Sequence, residues 1–171
     1  MKKYELTEET VKVSEITLYR IRAVRDFGSV KTGDLGGYIE KEENLSHFGD
    51  AWVSGNGKVS GNAWIFGNGK VSGNGKVFGN AKVSGNTWIF GNAKVSNTRH
   101  FFVQGPIGSR NDFVTFYRTK DDTVGVKCGC FSGSLQEFVN QVEKTHGGSR
   151  YEKEYKLAVE LAKVCIHLEG E

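Results

Sequence analysis

From Gly49 to Ser96 the chain repeats a six-residue unit without interruption: GDAWVS, GNGKVS, GNAWIF, GNGKVS, GNGKVF, GNAKVS, GNTWIF, GNAKVS. A unit this short cannot bury its own apolar face and has to stack on its neighbours. The fifth position is always Val or Ile (Val53, Val59, Ile65, Val71, Val77, Val83, Ile89, Val95), and the third is Ala, Gly or Thr. In extended backbone alternate side chains share a face, so both sets point inward. The Trp or Lys of position four and the Ser or Phe of position six then point out. A helix is excluded, because an apolar period of six does not follow a 3.6-residue stripe and Gly-Asn recurs too often. Asn-Gly pairs at 56–57, 68–69 and 74–75 suit tight hairpins, yet this spacing would reverse the chain before useful strand pairing developed. What remains is a solenoid in which each Gly-Asn turns a corner at positive φ and three short strands complete a coil.

With three hexads per coil, side chains three hexads apart stack at about 4.8 Å. One face then carries Lys58, Lys76 and Lys94, another Trp52, Lys70 and Trp88, and the third Trp64 and Lys82. Residues 49–96 hold five Lys against one Asp, whereas the flanking segments are nearly neutral, so the solenoid is the basic part. A lysine ladder either keeps a short solenoid soluble and blunts its edges or meets an anionic ligand. The Trp-Lys-Trp face suits a subunit contact, since large aromatics are rarely left bare, although base stacking and a cation–π cluster are open to it too. Eight hexads make fewer than three coils, so caps and self-association are expected.

Residues 1–48 read as an N-terminal β cap, with a strand over 17–24 and a Gly-rich turn, Gly33 to Ile39, leading into the coil. Residues 97–171 read as a small α+β module. Two strands, 113–118 and 123–128, flank Asp121-Asp122 as a hairpin. Ser134-Leu135-Gln136-Glu137 fits a capping box opening a helix that Gly147-Gly148 stops, and a second helix carries Tyr155, Ala158, Val159, Ala162 and Ile166. The expected class is mainly β: a short left-handed parallel β-helix between that cap and that module.

Composition narrows the function. A hydrophobic content of 37% is thin for one thick core, and 23 glycines against one proline exclude collagen and proline-rich disorder. No apolar run reaches the ~20 residues of a membrane span, and the start lacks a signal-peptide core, so a cytoplasmic protein off the membrane is expected. Three cysteines argue against a disulfide framework. A net charge of +3 is too small to argue for duplex DNA.

Tyr19-Arg20-Ile21-Arg22, Gly33 to Tyr38, the Gly-Asn hexads, Ile107-Gly108-Ser109-Arg110 and Cys128-Gly129-Cys130-Phe131 occur here in that order. In that order the chain resembles, along nearly its whole length, a group of hexapeptide-repeat proteins common in phages and Firmicutes. The resemblance implies the left-handed β-helix and the C-terminal module, and it implies no particular activity.

The residues point to binding more than to catalysis. A hexad-repeat acyltransferase uses a histidine base, and the repeat contains none; His47 and His100 flank it. No Walker-type phosphate loop occurs. Cys128 and Cys130 lack two further ligands at diagnostic spacing, so buried structural thiols are expected and no metal or cofactor. Gly108, Ser109, Arg110 and Asn111 offer close backbone approach, a hydroxyl and a two-pronged cation suited to phosphate or carboxylate, unless Arg110 simply pairs with Asp112, Asp121 or Glu137. Trp88 or Phe90 would supply stacking, with Lys76 and Lys94 as further cations. The reading is a non-catalytic, phage-type protein that captures an anionic, nucleotide-derived immune signal as a homo-oligomer, a trimer or dimer. The alternatives are a fibre, scaffold or virion component and, third, an acyltransferase-like enzyme.

Overall fold

A computed structural model describes residues 1–169 and divides the chain into two compact units, Met1–Thr98 and Arg99–Glu171. The first unit is a β-solenoid. Its hexads give two-residue strands: β4 (Trp52–Val53), β5 (Lys58–Val59), β6 (Trp64–Ile65), β7 (Lys70–Val71), β8 (Lys76–Val77), β9 (Lys82–Val83), β10 (Trp88–Ile89) and β11 (Lys94–Val95). They stack in parallel as β5-β8-β11, β4-β7-β10 and β6-β9, each pairing with the strand three hexads on. All eight branched aliphatics are 0% exposed. The glycine opening each hexad has φ between 57° and 69°, the left-handed region where a side chain would be strained.

The coil begins before the repeat does. Leu35–Ile39 is a strand (β3), not the expected turn, and it pairs in parallel with β5 through Tyr38↔Lys58 and Ile39↔Val59. Leu45 bridges Ile65. Ile39 and Leu45 are therefore inward positions of the first coil, each 1% exposed or less. Eight residues separate Leu45 from Val53 where the hexads allow six, so one corner carries two extra residues. That irregular corner, with no Gly-Asn before Leu45, hides the first coil from a search by period.

β1 (Tyr4–Val13) and β2 (Ile16–Ala23) continue the β3 face as antiparallel strands, giving the order β1-β2-β3-β5-β8-β11. They also close the first coil, whose outermost carbonyls have no preceding coil to accept from. Lys3, fully buried, donates to the carbonyls of Gly49 and Ala51 at 3.2 and 2.6 Å, and the Tyr4 hydroxyl donates to Leu45 at 2.7 Å. On the other side of the first coil, the Asn44 amide ties it to the second, donating to the carbonyls of Gly61 and Ala63 at 3.1 and 2.9 Å. Trp52, expected on the exterior, is 8% exposed because Phe27 packs its edge against it at 5.3 Å and Tyr4 at 6.4 Å.

The second unit is an antiparallel sheet in the order β12 (Phe101–Ile107), β13 (Asp112–Arg118), β14 (Val124–Cys128), β15 (Phe131–Ser134), followed by α1 (Leu135–His146) and α2 (Arg150–Cys165). The expected hairpin is β13–β14; β12 and β15 flank it. Ser134 caps α1 with the reciprocal Glu137 bond, and Gly147 ends the helix. Val114, Phe116 and Val126 from the sheet pack with Phe138 and Val142 of α1 and Tyr155, Ala158, Val159 and Ala162 of α2. No described helix is long and apolar enough to cross a membrane.

Candidate functional site

Antiparallel pairing decides where the sequence motifs meet. Gly108, Ser109, Arg110 and Asn111 are the loop joining β12 to β13, closed by the Asn111 N–H donating to the Gly108 carbonyl at 3.2 Å. Gly129 and Cys130 are the two-residue turn between β14 and β15. Because Val114 pairs with Cys128, this loop and this turn emerge at the same end of the sheet. On α1, Phe138, Gln141, Val142, Thr145 and His146 recur at three- and four-residue intervals, so one helical stripe faces that end.

Between them lies a cleft of about 280 Å³. Ser109, Arg110 and Asp112 line one part of it, Cys128, Gly129, Cys130 and Phe131 another, and the α1 stripe and Tyr155 of α2 the rest. Arg110 is exposed and makes no ion pair with any described residue, so the expected alternative, pairing with Asp112, Asp121 or Glu137, is not what the structure holds. Its guanidinium is therefore open to a ligand.

Gly108 has a different job from the one its motif suggests. A Cβ there would stand 1.9 Å from the Tyr155 hydroxyl, and its N–H already donates to Glu154 Oε2 at 2.6 Å. The glycine makes room for a tyrosine, and its amide is spent within the protein. Asn111 takes φ 49° and shapes the turn without lining the cleft.

The thiols differ from the expected buried pair: Cys128 is half-buried and Cys130 exposed, and all three cysteines are free. Burial and the Asp112 charge push the Cys128 thiol up, while its hydrogen bond to Tyr155 opposes that. Burial and the neighbouring Cys128 push the Tyr155 phenol up to about 12. At neutral pH both stay protonated, so this corner offers hydrogen-bonding groups and not a thiolate. Among the described residues no group of three or more His, Cys, Asp or Glu could hold a metal ion.

The other expected site residues belong to the solenoid unit. Lys76 and Lys94 stand in register on the β5-β8-β11 face. Trp88 lies on the β4-β7-β10 face, where its indole N–H donates to Ser72 Oγ at 2.6 Å and Lys70 Nζ sits 5.5 Å from its ring centre. Phe90 meets Trp88 edge-on at 5.8 Å. The cleft is lined by the second unit alone, so its aromatic surfaces come from Phe131, Phe138, His146 and Tyr155. Sequence reasoning found Ser109 and Arg110 and missed these partners. The helical spacing of 138, 142 and 145 was visible; the cross-strand register was not.

The geometry thus defines a β-solenoid protein carrying a small α+β unit with an open, aromatic-walled cleft. No protein-family model matches the chain, and no curated protein matches it.

Proposed function

We propose that this protein binds, without turning over, a small anionic molecule of nucleotide type in the cleft of its C-terminal unit. The observation that carries the reading is an unpaired arginine, Arg110, sharing one cleft with the Ser109 hydroxyl and with aromatic rings. In this reading Arg110 and Ser109 hold a phosphate by charge-assisted hydrogen bonds, and Phe131 or His146 packs on a base. Asp112 sits badly with a bare anion. It suits a ligand that also presents a hydroxyl or amino group, as a ribose or base does, and so disfavours inorganic phosphate. At about 280 Å³ the cleft lies just below the usual small-molecule range, which fits a mononucleotide-sized group with any larger portion extending into solvent. Neutral Cys128 and Tyr155 support holding over acyl or group transfer.

We further infer that it acts by sequestering a nucleotide-derived immune signal, which needs affinity and abundance but no acid-base pair, and that it self-associates. The support for self-association is Trp64, 41% exposed and stacked on Phe66 at 4.1 Å, on an outer face of the coil. That same feature favours the second reading, a scaffold assembled through the solenoid.

A thermal-shift series with mononucleotides, cyclic ADP-ribose isomers, cyclic dinucleotides and inorganic phosphate tests the cleft. A nucleotide at a hundredfold excess over its Kd stabilises the native state by about 2.7 kcal/mol. The melting point of wild type rises with at least one nucleotide and that of Arg110→Ala does not; no shift with any of them, or an equal shift in both proteins, defeats the reading.

A further inference from the structure

The β1-β2-β3-β5-β8-β11 sheet lines up one row of side chains across five strands. Arg20 pairs with Tyr38, Tyr38 with Lys58, Lys58 with Lys76, and Lys76 with Lys94. Neighbouring strands lie about 4.8 Å apart, so the three lysines are held at that interval, in register, on one face. Like charges opposite one another on a sheet are destabilising, and the parallel register prevents them from moving apart along the strands.

Several cations elsewhere in the protein are neutralised locally by a carboxylate. Lys2 pairs with Glu42, Arg20 with Glu9, Lys31 with Asp26, Lys156 with Glu143 and Glu152, and Lys163 with Glu160. Lys58, Lys76 and Lys94 have no carboxylate partner among the described residues; Lys58 Nζ donates to the Asn56 carbonyl at 3.1 Å and lies 5.6 Å from the Tyr38 ring centre. Glu40, next along from Ile39, is turned into the corner, where it accepts the Gly61 N–H at 2.6 Å. The Lys58 ammonium is pushed down, chiefly by burial and further by the charge of Lys76.

Two positions beyond the lysine of β8, and so on the same face, is Phe78, half-buried. Tyr38 continues the row at its other end. Flexible lysines act as point charges that meet phosphates without a fixed orientation, and an adjacent ring gives any base a face to stack on. Nothing in the row reads a base edge. We propose that this face binds single-stranded nucleic acid without sequence preference, with Lys58, Lys76 and Lys94 on successive phosphates and Phe78 beneath a base. The row belongs to the first unit and the cleft to the second.

Fluorescence anisotropy with a labelled oligothymidylate of about twelve nucleotides tests this, titrated from about 50 to 200 mM salt. Three phosphate contacts on a single strand give a slope of log K against log salt of about −2, and Lys76→Gln lowers its magnitude to about 1.4. Phe78→Ala weakens binding by about fivefold to a hundredfold. Lys163→Gln, which removes a locally paired lysine of the other unit, behaves as wild type. The proposal is overturned by no binding at the low salt, by a slope that Lys76→Gln leaves unchanged, or by an inorganic polyphosphate chain binding as tightly as the oligonucleotide. Melting curves establish that each variant is folded before it is titrated.

Discussion

Lys3 shows how one side chain can close a solenoid. It is fully buried, its ammonium reaches two carbonyls of the irregular corner, and it lies 4.7 Å from the Phe27 ring centre. Burial pushes its pKa down from 10.5 to about 8; the Asp50 charge opposes this and that of Arg25 reinforces it. Between those two values the unfolded chain holds a proton that the folded one has shed, so this group's contribution to stability rises with pH across that window. Other groups pull the opposite way. The Cys128 thiol and the Tyr4, Tyr117 and Tyr155 phenols are all pushed up, chiefly by burial, so each costs stability once its unfolded counterpart ionises. The measurement is therefore a difference. Lys3→Met is less stable throughout because it leaves the Gly49 and Ala51 carbonyls unsatisfied, and the gap in melting temperature to wild type widens from pH 8 to pH 10.5. A gap that stays constant over that range would show that Lys3 titrates normally.

Within the coil, the corners determine what a hexad tolerates. Gly73 and Gly85 have nearly the same φ, 63° and 62°, so alanine meets the same backbone strain of about 1–2 kcal/mol at either. Their surroundings differ. A Cβ at Gly73 would stand 2.9 Å from the Gly91 nitrogen in the next coil, whereas at Gly85 no described atom lies within 4 Å. Urea unfolding of the pair separates corner strain from coil stacking: both alanine variants lose stability, and Gly73→Ala loses more. Equal losses would mean that the coils part easily at that corner. The corner glycines and the buried aliphatics were legible in the sequence because the repeat displays them eight times over. β3 was not, since its alternation is broken by Gly36-Gly37 and its distance to β5 departs from the repeat. β12 and β15 escaped for a related reason: each is a strand through its partner, and neither has a strong alternation of its own.

For the whole molecule, charge and exposed aromatics are unevenly distributed. The five hexad lysines are on the solenoid, and Trp64 with Phe66 marks one of its outer faces. If that face joins copies of the chain, light scattering on wild type gives a mass above 18.9 kDa and Trp64→Lys gives the monomer mass, with the melting curve showing the variant folded. A closed small oligomer accords with a sequestering protein and an open-ended series with a scaffold; a wild-type monomer removes self-association from both. By itself, the sequence determined the coil: which side chains are inside, which are outside, and that lysines three hexads apart form a column. It could do so because strict periodicity turns distance along the chain into neighbourhood in space. The tertiary structure alone decided where the coil starts, that Trp52 is covered, and that Arg110, Cys128, His146 and Tyr155 surround one cleft. Those outcomes depend on strand register and on packing between residues far apart in the chain, and such contacts leave no local pattern to read.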